Sequence, residues 1–211
     1  MFANAMLDVK RGNNIVATDV GKIGCSITGQ PGHPIENVLL SNLTFTFEGG
    51  GERELTEKEV LELPKKYPEC TMFGELPAYG FYARHVNGLR FSNVQLRTSK
   101  PDLRHAMVLD DVEALAIDGL DASFWPGAAP MLSLIQSRGA IIRGCQPRAK
   151  GGTFLKLTGD ATRKVTLIAM FFMHLKFEGK WVYGVVALSL IAICILIALI
   201  SPDIAGVLGG F

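Results

Sequence analysis

Apolar residues recur through the first 160 positions in short alternating runs. Val38, Leu40, Leu43 and Phe45 are followed 51 residues on by Leu89, Phe91, Val94 and Leu96. After a further 26 come Leu115, Ile117, Leu120 and Ala122, and after 25 more Ala140, Ile142 and Cys145. A weaker copy, Ile15, Ala17 and Val20, lies 23 residues before Val38. Alternation gives each run one inward face. A second ladder accompanies the first, with Tyr82, Val108, Leu132 and Leu155 at separations of 26, 24 and 23. Each period of about 25 residues therefore carries two short strands. Asn42, Asn93, Gly119 and Gly144 hold one equivalent position, and both residue types tolerate the left-handed backbone of a sharp corner. A lone two-strand unit cannot bury its apolar face, whereas stacked units can. The pattern predicts an all-β parallel β-helix over 1–160, with a β-sandwich as the rival that does not require a fixed period.

Residues 48–79 break the period, so the gap of 51 is two periods or one period with an insertion. The break opens on Gly49-Gly50-Gly51, and Thr56-x-x-Glu59 ahead of Val60-Leu61 reads as a capping box on a short helix stopped by Pro64. The insertion either carries substrate contacts or covers one side of the stack.

A different pattern closes the chain. Trp181 to Ile200 is twenty residues without a charge, enough for a helix of about 30 Å that crosses a bilayer. Trp181 and Tyr183 suit an interface. The first residues, MFANAMLDVKRG, lack the apolar core of a signal peptide. Arg163, Lys164, Lys176 and Lys180 precede the span and only Asp203 follows it, which places the N-terminal part in the cytoplasm. The expected organisation is a partial β-helix over 1–160, a junction with a short apolar helix over 161–180, a transmembrane helix over 181–200 and a tail over 201–211.

Charge narrows the partners. With 21 Lys+Arg against 20 Asp+Glu the net charge is +1, so no nucleic-acid partner is expected. Membrane lipid is expected around Trp181 to Ile200. The four cysteines, Cys25, Cys70, Cys145 and Cys194, show no C-x-x-C spacing, so neither a metal nor a disulfide is expected. No phosphate-loop, dinucleotide or nucleophile-elbow motif is present, and no cofactor is expected.

The segments SITGQPGHPIENVLLSNLTFTFEGGG and YPECTMFGELPAYGFYARHVNGLRFSNVQL resemble the late coils of glycoside hydrolase family 28, the polygalacturonase-like enzymes. The resemblance covers roughly 1–160. It implies a right-handed parallel β-helix and hydrolysis of pectic polysaccharide by an aspartate acid and an aspartate that activates water, with inversion. The family pattern runs N-x-D, D-D, G-H-G and R-x-K on successive coils. Here Asp110-Asp111 is the D-D, and Arg148-x-Lys150 matches the last element. There is no N-x-D and no G-H-G; Gly32-His33-Pro34 departs at its third position. Where the first aspartate belongs the chain has Arg84-His85, and where the histidine belongs it has Leu134-Ile135-Gln136. Asp110 and Asp111 thus stand alone as catalytic candidates, with Arg84 and His85 as substrate-binding candidates and no complete catalytic set. His33, His85 and His105 have no partner placed for a triad and read as exposed or hydrogen-bonded turn residues.

Residues 165–205, VTLIAMFFMHLKFEGKWVYGVVALSLIAICILIALISPDIA, resemble the C-terminal part of prokaryotic cytochrome c oxidase subunit IV. That resemblance implies oxidase core subunits as partners and gives His174 no metal, since the haem and copper ligands belong to another subunit. Val165 to Leu175 is too short to span, like a helix whose beginning was replaced. The sequence therefore reads as a fusion or chimera of two fragments joined near Thr162 to Thr166, without catalytic activity by itself. The alternatives are a membrane-anchored polygalacturonase-like glycosidase and a small accessory oxidase subunit.

Overall fold

The computed structural model describes residues 11–67, 69, 71–147 and 152–168. Trp181 to Ile200, His174, Cys70, Cys194, Arg148 and Lys150 lie outside them. Among the described residues no helix is long and apolar enough to cross a membrane.

The described part is all-β and almost wholly parallel, β-helix-like in its repeat. Its strands are β1 (Arg11–Val20), β2 (Cys25–Thr28), β3 (Ile35–Phe47), β4 (Ala78–Thr98), β5 (His105–Glu113), β6 (Ala116–Ala122), β7 (Leu132–Ile135), β8 (Ile141–Arg143), β9 (Gln146–Pro147), β10 (Leu155–Thr158) and β11 (Thr166–Ile168). They make two long ladders. The first runs β1, β3, the second half of β4, β6, β8 and β11. The second runs β2, the first half of β4, β5, β7 and β10. A short third row, Glu36, Asn87, Glu113, Arg138 and Arg163, connects them.

The first ladder follows the sequence period. Val38 pairs with Leu89, Leu40 with Phe91, Leu43 with Val94 and Phe45 with Leu96, and Phe91 pairs in turn with Ile117 and Ile117 with Ile142. These side chains fill the core; Leu43, Leu89, Phe91 and Leu96 are fully buried. Phe81 meets Phe91 edge-on at 5.2 Å between ring centroids, and Phe47 meets Tyr79 at 6.0 Å, a geometry aromatic quadrupoles favour. Asn42, Asn93, Gly119 and Gly144 all have left-handed backbones (φ 52°, 51°, 75° and 64°). Asn14 joins that corner at φ 56°, and the asparagines stack: Asn93 Nδ2 donates to Asn42 Oδ1 (2.9 Å), and Asn42 Nδ2 to Asn14 Oδ1 (3.0 Å).

Two registers differ from expectation. Ile15 lies against Leu43 rather than Val38, an offset of 28, because Gln30 and His33 close an extra turn and the asparagine corner fixes the alignment. In the second ladder Leu132 pairs with Met107, not Val108. Tyr82 and Val108 face outward, packing with Val60, Leu76 and Ala78 in a second apolar cluster. Both faces of that ladder are apolar, so alternation could not tell inside from outside.

The covering layer is the insertion, a strap running from Gly51 to Leu76. Its expected helix is a single 3-10 turn, Arg53–Glu57, without a side-chain cap. The Thr56 hydroxyl donates back to the Arg53 carbonyl (2.7 Å), so it does not cap, and Val60-Leu61 has no regular secondary structure. Both feet of the strap are pinned by one buried ion pair from the segment after β4. Arg104 donates to Asp102 through Nε (3.0 Å) and Nη2 (2.7 Å). Asp102 accepts the Gly51 N–H (3.0 Å), and Arg104 Nη1 donates to the Leu76 carbonyl (3.2 Å).

Candidate functional site

Outward positions on the second ladder form two columns in exact step with the period. One is Tyr82, Val108, Ser133 and Lys156; the other is Arg84, Asp110, Ile135 and Thr158. The strap passes over them at Thr56 to Glu62 and encloses a cleft of about 470 Å³. Of the four candidates, Arg84 and Asp110 line it together with Glu62 of the strap, and His85, which is not a lining residue, joins Glu62 to Asp111 beside it.

Arg84 and Asp110 are ladder neighbours, and His85 and Asp111 follow them at a left-handed corner (φ 53° and 48°) that Gln136 repeats (φ 48°). The corner turns the second residue of each pair away from the first. His85 Nδ1 lies 2.7 Å from Asp111 Oδ2, and Nε2 lies 3.0 Å from Glu62 Oε1. Asp111 therefore does not stand alone: it is half of an ion pair at the corner. Burial presses the His85 imidazole toward neutrality, but its bonds to Asp111 and Glu62 outweigh this and lift its pKa above the ordinary 6.5.

Arg84 is buried and grips the strap. It donates to the carbonyls of Val60 and Leu61, and Nη1 lies 3.3 Å from Glu62 Oε1. Its guanidinium stands over Tyr82 (5.7 Å) and Phe73 (6.0 Å). Its Nε is buried without an acceptor. Burial pushes the Asp110 carboxyl pKa up, although Arg84 and His85 pull it down. Burial also holds the Tyr82 phenol far above its usual range, so it stays neutral.

His105 is buried at the floor of the same cleft. Its Nδ1 donates to the Pro130 carbonyl, which fixes the tautomer and leaves Nε2 as the basic nitrogen. Burial depresses its pKa below 6.5, so it is neutral at pH 7. Lys156 reaches Glu57 at 3.6 Å across the opening. His33 is exposed in the Gln30–His33 turn. Cys25 and Cys145 are free thiols, Cys25 pushed up to about 11 by burial. Among the described residues no group of three or more His, Cys, Asp and Glu is placed to hold a metal ion.

The cleft thus combines a neutral imidazole, a carboxyl biased toward its acid form, a phenol face and charges of both signs. Such a surface can hydrogen-bond a polar ligand along the strand columns. Sequence reasoning aligned Arg84 with Asp110 through the 26-residue step. It missed Glu62, because the strap has no period to place it. It read His105 as an exposed or hydrogen-bonded turn residue, whereas His105 is buried at the start of β5 and bonded to Pro130, a neighbour that carries no chemical signal. Comparison with protein-family models, with curated proteins and with solved structures gives no match.

Proposed function

We propose that residues 1–160 are a right-handed parallel β-helix of glycoside hydrolase family 28 kind, of carbohydrate type but without its own hydrolytic activity. In the same proposal the chain beyond β11, up to residue 205, is a membrane segment of cytochrome c oxidase subunit IV kind, with the N-terminal part cytoplasmic. Thr166–Ile168, expected in the short apolar helix of the junction, instead pair with β8 as a strand of the first ladder. The observation that carries the catalytic silence is the separation of the two aspartates. Inverting hydrolysis needs two carboxyl groups facing one sugar, with room for water between them. Asp111 is turned out at a corner and bound to His85, while Asp110 lies on the cleft floor beside Arg84. Incubation of the full chain with polygalacturonate is expected to release no reducing sugar, and any turnover above a buffer blank would refute the silent reading. Sequencing reads that cross the codons for residues 150–175 in frame would establish the fusion. Reads that diverge there would divide the chain into two proteins.

One observation favours the glycosidase reading. Asp110 is biased toward its acid form and lines the same cleft as Glu62, an arrangement in which one carboxyl could donate a proton and the other polarise water. Pectic polysaccharide is the substrate class under that reading. It requires hydrolysis that Asp110→Asn abolishes and Asp111→Asn leaves largely intact. The accessory-subunit reading rests on residues outside those described. Co-purification of the full chain with haem-containing core subunits tests it.

A further inference from the structure

The strap is held by polar contacts more than by burial. Between Gly51 and Leu76, Val60 is the one buried residue among those described. The 3-10 turn buries nothing. Arg53 Nη1 donates to the Gly127 carbonyl (2.9 Å), and Lys58 Nζ donates to the carbonyls of Phe73 (3.1 Å) and Glu75 (2.7 Å). Segments with few buried apolar contacts open locally at low cost. Its buried polar tie to the second ladder is where Val60 to Glu62 meet Arg84 and His85.

We propose that the strap is a hinged cover on the second-ladder cleft, latched at Glu62 by Arg84 and His85, and that the latch loosens when His85 loses its proton. The geometry sets the requirement. The His85 ring lies between two carboxylates, Asp111 Oδ2 at Nδ1 and Glu62 Oε1 at Nε2. Carboxylates only accept, so both contacts are satisfied only by the imidazolium, which carries a proton on each nitrogen. A neutral ring turns a lone pair toward one of the two.

The groups facing His85 come from each element packed on it. Glu62 comes from the strap, Asp111 and the adjacent Asp110 from β5, and Arg84 from its own strand. The turn from Gly29 to His33 packs on its backbone, with His33 as the titratable residue there. Arg84 supplies the constant part of the latch through its bonds to the Val60 and Leu61 carbonyls, and His85 the variable part. The closed strap binds the protonated ring, and the folded pKa is therefore the higher one. The contribution of His85 is complete below its unfolded pKa near 6.5 and is lost as pH rises through the elevated folded value.

Hydrogen exchange on the full chain in detergent micelles tests the latch. Protection of the amides of residues 53–62, normalised to β4 amides for intrinsic pH effects, is expected to fall severalfold between pH 5.5 and pH 8.5. His85→Gln should flatten that dependence; Gln136 already occupies the equivalent corner one coil beyond Asp111, so the backbone accepts the residue. Glu62→Gln, made from the mobile side, should flatten it too and guards against misfolding of the first variant. Equal protection at both pH values in the unmodified chain would overturn the proposal. So would an undiminished fall in both variants. The outcome does not depend on whether the cleft binds carbohydrate.

Discussion

Gly51 shows how tightly single residues are constrained around the buried ion pair. A Cβ built there would lie 2.0 Å from Arg104 Nε, so Gly51→Ala must drive the guanidinium away from Asp102. The cost is that of overpacking, about 1–3 kcal/mol, read as a lower urea midpoint with unchanged slope. Asp102→Ala is expected to be worse, by about 3–5 kcal/mol, because it leaves the fully buried Arg104 without its counter-charge. Asp102 also has a pH signature. Burial opposes its ionisation, but the hydrogen bonds and charge of Arg104 and the backbone bonds of Arg104 and Gly51 hold its pKa below 3.8. A depressed folded pKa gives stability that is present above 3.8 and lost as pH falls through the folded value. Acid titration of thermal stability should show this slope, and Asp102→Ala should lack it. None of this was legible in the sequence. Asp102-x-Arg104 is a commonplace spacing, and the backbone groups it holds, at Gly51 and Leu76, are 51 and 28 residues away.

At the scale of elements, the corner of stacked asparagines ties local conformation to register. Asn93→Gly keeps the left-handed backbone and loses one side-chain hydrogen bond, so a change within about 1 kcal/mol is expected. Asn93→Val forces a β-branched residue to φ 51° and should cost about 2 kcal/mol or more. Chemical denaturation of the pair separates conformational strain from the lost bond. This corner and the first ladder were legible because that ladder has one buried face, and apolar residues mark it at every step. The second ladder was legible only in part. Tyr82 and Val108 look like core residues and are buried, yet under the strap rather than inside the stack. The candidate site shows the same division. The 26-residue step placed Arg84 beside Asp110 and His85 beside Asp111, but the residue that joins them to the cover, Glu62, sits where the period is interrupted.

For the whole molecule, two apolar clusters imply two separable contributions to stability: the interior of the stack, and the smaller seam between strap and second ladder. Replacing residues 52–75 with a short Gly/Ser link should leave the β-rich circular dichroism of the stack in place. It should uncover Tyr82, Val108 and Ile135 to a dye that reports exposed apolar surface. Loss of the β signal would instead mean that the cover is integral to the stack. The ion pair that pins both feet of the strap adds a consequence in time. A growing chain emerges from the ribosome with the strap ahead of β4, and Asp102 and Arg104 follow last of the three. The feet of the roof have no ion pair to fasten to until the following loop is outside, so the outer wall around Tyr82 is made before its cover is fully pinned. Emergence of Arg104 is thus the moment both feet of the strap can first be fastened, while the cleft beneath is completed only as β5, β7 and β10 follow.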